Sequence, residues 1–170
     1  ALGAGAFAAV ERGELDLGEN LATEALRHAA QPEESFLAML ALGISDLYRG
    51  RHDAAQAWYR SVLAIEGLPP AYRADVHATL ALLAGYAADL STARDHAAHS
   101  RAGAEATGAV NTRAFAAYAT GETLLLEDAE AAVPVLAAAI ARAGRGAAHV
   151  SAVARIALLS ALTRLDRHSE

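Results

Sequence analysis

The chain carries one pattern four times over, and that pattern leaves few ways to fold. In its clearest copy, Leu42-Gly43 precedes a turn at Arg49-Gly50-Arg51, followed by Ala54-Ala55, Tyr59 and Val62-Leu63. A small residue follows the turn glycine by five positions, a bulky one by nine and an apolar one by twelve. Apolar residues three and four apart on both sides of a tight turn predict helix, turn, helix. The small position recurs as Gly18, Ala55, Ala93 and Ala132, at intervals of 37, 38 and 39 residues. Turns keep the same register at Gly13-Glu14, Gly50-Arg51, Asp89-Leu90 and Glu127-Asp128, and a fifth is announced at Leu165-Asp166-Arg167. A period in this range means that each unit buries its apolar face only against its neighbours.

Nine helices follow from the pattern, at about 2–12, 16–30, 33–49, 52–66, 70–87, 90–106, 110–126, 129–143 and 147–165. Eight pair into antiparallel hairpins and the ninth is unpaired. Pro32 and Pro69-Pro70 fit helix starts, because proline is tolerated in a first turn and not in an interior. Glu33-Glu34 then sets negative charge at a helix N-terminus, where the dipole favours it. Asp53, Ser91 and Asp128 stand where they can cap or flank second helices. Pro134 conflicts with the frame and predicts a kink or an early turn. No segment alternates with period two, so no strands are expected. The 47 alanines fit helices that approach closely. The expectation is an all-α, antiparallel helix-hairpin solenoid. It forms a single repeat domain over 1–170, with repeats at about 1–30, 33–67, 70–107 and 110–143 and a final helix at 147–165.

What is missing narrows the chemistry. All 14 basic residues are arginine and there is no cysteine. A chain without lysine has no P-loop lysine, no Schiff-base lysine and no Ser-x-x-Lys nucleophile pair. Without cysteine it has no thiol nucleophile, thiolate metal site or disulfide. The net charge is −6 and the arginines are scattered, so no basic stripe for nucleic acid is expected. No uncharged stretch approaches the roughly 20 residues that span a bilayer. The N-terminus lacks the basic region of a signal peptide. A cytoplasmic protein, or an excerpt of a longer chain, is expected.

The units resemble the tetratricopeptide repeat. Leu42, Gly43, Gly50, Ala55, Tyr59 and Val62 match its pattern in the second unit. Gly13, Gly18, Ala22 and Ala25 match in the first, Leu80, Ala81 and Ala93 in the third, and Ala132, Leu136 and Ala139 in the fourth. The usual repeat has 34 residues, and these units run longer. In that they are similar to the degenerate repeats in the C-terminal regions of large bacterial LuxR-type, nucleotide-switch transcriptional regulators.

The resemblance implies a concave groove lined by the first helix of each pair. It assigns to that groove Phe7, Val10 and Glu11; Leu40, Ile44, Tyr48 and Arg49; Asp75, Leu82 and Tyr86; and Ala117, Gly121 and Leu124. One subclass of the family clamps acidic peptide tails with Lys, Arg and Asn. The matching places here hold Leu40, Ile44, Ala78 and Leu82, so that clamp is absent. The groove is expected to take a protein, a peptide or an effector, or other domains of the same full-length chain. Self-association as a homodimer is left open.

Catalytic and metal chemistry are not expected. His96 and His99 could share a helix face, which the resemblance places outward on a second helix, and no third ligand is set by spacing. His77 is expected to pack against its partner helix with a hydrogen-bonded ring. The paired carboxylates Glu33-Glu34 and Glu127-Asp128 both sit at helix starts, where helix-terminus charge accounts for them. No enzyme activity and no cofactor are therefore expected, and the function read from the sequence is a regulatory interaction and sensing module. The alternative is a scaffold or oligomerisation module with no small ligand. Trp58, beside the core residue Tyr59, is a further contact candidate.

Overall fold

A computed structural model describes residues 2–30, 32–143 and 147–166, with residues 32–34 as backbone only. Those residues are all-helical, with nine helices and no strand among them. In chain order they are α1 (Leu2–Glu11), α2 (Leu15–His28), α3 (Pro32–Tyr48), α4 (His52–Leu63), α5 (Pro70–Tyr86), α6 (Leu90–Thr107), α7 (Val110–Leu125), α8 (Ala129–Arg142) and α9 (Ala148–Arg164). Each lies within three residues of the span expected from the repeat at either end. The chain divides into two compact units, Ala1–Leu68 and Pro69–Glu170. The division falls at Pro69-Pro70, inside what the sequence reads as one array.

In the first unit α1 packs on α2 and α3 on α4, while α1 and α2 both also pack on α3. Its core is mostly small residues: Ala6, Val10, Ala22, Ala25, Ala38 and Ala41. In the second unit α5 packs on α6 and α7 on α8; α5 and α6 rest on α7, and α9 closes against α7 and α8. Larger side chains enter this core, among them Leu82, Tyr118, Leu136 and Val150. Leu136 is wholly buried, which stabilises by about 2–3 kcal/mol.

The register position that defined the repeat is a packing position. Gly18, Ala55, Ala93 and Ala132 are all buried where second helices meet first helices. A Cβ on Gly18 would stand 2.4 Å from a Val10 methyl. A Cβ on Gly121 would stand 2.5 Å from Leu136 Cδ2. Absence of a side chain at these two sites sets how near the paired helices come.

Three hairpin turns share one geometry. Gly13, Gly50 and Ala88 take left-handed backbone, with φ of 81°, 72° and 58°. The next residue then donates its N–H back to the carbonyl five positions earlier: Glu14 to Ala9, Arg51 to Asp46, Asp89 to Ala84. This closure satisfies carbonyls that the helix end leaves open. The fourth turn differs, with Asp128 N–H donating to the Leu124 carbonyl at 2.8 Å. At the fifth, Asp166 is left-handed with φ of 53°, while Arg167 lies outside the described residues.

Of the cap candidates only Asp128 caps its helix; Asp53 flanks the start of α4 in its first turn, and no side chain caps α4. Asp128 accepts from Ala131 N–H at 3.0 Å, and Asp89, rather than Ser91, caps α6 by accepting from Thr92 N–H at 3.1 Å. The Glu33-Glu34 side chains lie outside the described residues. Pro134 does not end its helix. It sits inside α8, which runs from Ala129 to Arg142. The surrounding apolar contacts of Ala132, Leu136 and Ala139 outweigh the lost backbone hydrogen bond.

Candidate functional site

In the first unit the expected groove residues occupy three environments. Leu40 is buried, Phe7 and Ile44 are half-buried, and Tyr48 is 68% exposed at the last position of α3. Val10, expected on the same surface, is buried in the core and Glu11 is exposed. Arg49 is engaged in an ion-pair network between the hairpins. Glu19 on α2 accepts from Ser45 Oγ at 2.6 Å, Arg49 Nε at 3.0 Å and Arg51 Nη2 at 2.8 Å. Arg49 also reaches Asp16, and Arg51 reaches Asp46. Asp46 in turn accepts from Trp58 Nε1 at 3.1 Å, so Trp58 is half-buried and tied to the α3–α4 hairpin. The Ser45 hydroxyl, then the Arg51 and Arg49 guanidiniums, hold the Glu19 carboxyl below the usual carboxylate range.

In the second unit Leu82 is buried, Leu124 half-buried against the core, and Tyr86 57% exposed at the end of α5. Ala117 and Gly121 are buried. The Tyr118 hydroxyl interacts with both the Tyr86 hydroxyl and the Glu122 carboxyl. Burial raises all three groups above their ordinary values, Tyr118 the most. The Tyr118 hydroxyl, then the charge of Arg164 on α9, pull Glu122 back in part. Beside these groups lies a recess of about 20 Å³ between Leu82, Gly85, Tyr86, Glu122 and Leu126, room for about one water.

Asp75, in the first half of α5, stands beside Thr112 on α7 and is mostly enclosed. Burial pushes its carboxyl up to about 6, against the lowering effect of Thr112. Its Oδ1 has no hydrogen-bond partner.

The histidines differ from the arrangement expected of them. His96 does not point outward. Its Nδ1 lies 2.9 Å from His77 Nδ1, and the His99 ring stacks on His77 with centroids 5.0 Å apart. His99 Nδ1 donates to the Asp95 carbonyl at 2.7 Å. Three imidazoles therefore meet between α5 and α6. Among the described residues, no group of three or more His, Asp or Glu side chains is placed to hold a metal ion. His77 does pack against its partner helix with a hydrogen-bonded ring, as its position suggests.

The larger cavity of the second unit is on a different face. It has a volume of about 320 Å³, is floored by Ala104, Ala116, Ala117 and Thr120, and is edged by Arg101, Arg113 and Arg142. Sequence reasoning missed these arginines because they stand on α6, α7 and α8 at intervals with no motif. Only the packing of three helices brings them to one opening. No helix of the described residues is long and apolar enough to cross a membrane. Compared with known proteins, the chain matches no family model, no curated protein and no solved structure.

Proposed function

We propose that this chain is a non-catalytic interaction and sensing module of tetratricopeptide type, a helix-hairpin solenoid whose first helices take a protein or peptide partner. One observation carries the reading. Tyr48 and Tyr86 close α3 and α5 at the same repeat position, 38 residues apart, and both rings stand largely in solvent. An exposed aromatic that recurs in register is a contact anchor, since large rings supply much of the energy of recognition surfaces. The regulatory setting, the repeat region of a bacterial transcriptional regulator, rests on the sequence resemblance alone.

Selection of displayed twelve-residue peptides on the 170-residue chain tests the reading. Enriched peptides should lose at least about tenfold in affinity on Tyr48→Ala or Tyr86→Ala. Enrichment that is indifferent to both substitutions, or no enrichment, sinks it.

A second reading, an assembly module, is favoured by α9. Val153, Ile156 and Leu159 form an apolar stripe on its outer side, 37%, 65% and 63% exposed. Such a stripe suits a second copy of the chain.

A further inference from the structure

We infer that the cavity between α6, α7 and α8 is a binding site for a small organic anion, a carboxylate or phosphate joined to a compact apolar body. The site lies apart from Tyr86 and does not depend on the partner-binding reading.

The cavity's size comes first. About 320 Å³ lies at the lower end of the range that small-molecule sites occupy. A half-enclosed space of that size suits a molecule of one ring or a short acyl chain rather than a polymer. Its shape follows from composition. Ala104, Ala116 and Ala117 floor it, and Val135 and Ala138 wall it from α8, so short side chains leave open the space that larger ones would fill. Pro134 joins the wall from inside α8, and having no N–H it leaves one carbonyl of the preceding turn without its helical partner.

The charge of the opening supplies the class of ligand. Three arginines face one acid, Glu105, at this opening, in a chain whose net charge is −6. Glu105 Oε2 stands 3.4 Å from Arg113 Nε, near enough for an ion pair but without hydrogen-bond geometry. Arg113 Nε is shielded from solvent and has no hydrogen-bond partner. Arg101 and Arg142 have no carboxylate partner among the described residues. Guanidinium forks match the planar or tetrahedral oxygens of carboxylate and phosphate, and charge-assisted bonds of this kind are strong. One anionic head therefore meets Arg101, Arg113 and Arg142, while the apolar body rests on the alanines.

Amide-resolved NMR titration of the intact 170-residue chain tests the site, with phenyl phosphate and benzoate as probes. Inorganic phosphate and benzyl alcohol serve as controls for the head and the body alone. At least one of the two probes should give saturable shifts confined to α6, α7 and α8 around the cavity, and both controls should bind at least about tenfold more weakly. Phosphate preference over benzoate, or the reverse, identifies the head that the arginines select. Arg101→Gln with Arg142→Gln should weaken the probe about tenfold or more with unchanged helicity, because neither side chain has an ion-pair partner to lose. Ala138→Phe, which fills the cavity and leaves every charge in place, should abolish binding. Shifts that never saturate below about 10 mM, spread over arginines elsewhere, or persist in both variants would overturn the proposal.

Discussion

The Nδ1 atoms of His77 and His96 lie 2.9 Å apart, and the His99 ring stacks on His77. Between two imidazoles such a contact needs one nitrogen protonated and the other bare, so the two rings cannot both carry a charge. Burial, then the proximity of His96, His99 and Arg73, lowers His77 to about 4. Its ordinary value is near 6.5, so between 6.5 and 4 the unfolded chain takes up a proton that the folded chain refuses. Stability is therefore lost as pH falls through that window. The loss due to His77 should be about 1–2 kcal/mol once solvent screening of a half-buried ring is allowed for. Urea unfolding of His77→Gln at about pH 7 and about pH 5 checks it: the variant should gain on the parent at the lower pH. A difference that does not change with pH would dismiss the assignment.

Asp75 works in the opposite sense. Burial raises its folded value to about 6 from an ordinary 3.8, and Oδ1 has no partner. A carboxyl raised on folding costs stability above its folded value, and that cost disappears as pH falls from 6 toward 4. Asp75→Asn removes the charge and keeps an oxygen for the Thr112 contact. It should stabilise the chain by about 1–2 kcal/mol near pH 7 and by little at about pH 4. Because the two slopes oppose, the two variants should shift the parent's pH dependence in opposite directions across this window. A variant no more stable than the parent near neutrality would contradict the burial argument.

Ala88 occupies the turn position that Gly13 and Gly50 fill, with φ of 58°. An alanine in left-handed backbone is strained by about 1 kcal/mol or more, whereas glycine is not. Ala88→Gly should raise stability by about 0.5–1 kcal/mol after the added freedom of the unfolded chain is subtracted. Chemical denaturation with an unchanged slope reads this directly. A loss of stability would mean that the Ala88 methyl makes contacts worth more than the strain.

The repeat made the helices legible because one register carries several independent signals. Gly18, Ala55, Ala93 and Ala132 mark helix contacts, while Gly13 and Gly50 mark the turns, and both kinds of position are filled as the pattern requires. Pro134 was harder to read, since interior proline normally ends a helix and only the packing of Leu136 and Ala139 shows why it does not. The surface was less legible than the core. Periodicity places Leu40, Leu82, Tyr48 and Tyr86 on first helices, but the leucines are buried along α3 and α5 while the tyrosines, the last residue of each helix, stand exposed. Arg49 illustrates a further limit, because its partners Asp16 and Glu19 come from 33 and 30 residues earlier in the chain. Contacts of that separation depend on tertiary packing, as does the meeting of His77 with His96 and His99.

On α9, Val153, Ile156 and Leu159 recur at three-residue spacing on the side that faces away from Val150, Ala154, Ala157 and Ala161. A helix with apolar residues on both sides buries one against its own unit and leaves the other for association. If that second side joins two copies, the chain should sediment as a dimer whose fraction rises with concentration. Ile156→Glu with Leu159→Glu should then give a monomer of unchanged helicity, because charge at an apolar interface disfavours association. The same pair should alter monomer stability by only about 0.5 kcal/mol each, as expected of exposed positions. Sedimentation of the parent chain as a monomer at every concentration would remove the assembly reading, and unfolding of the double variant would show instead that this stripe is held inside the unit.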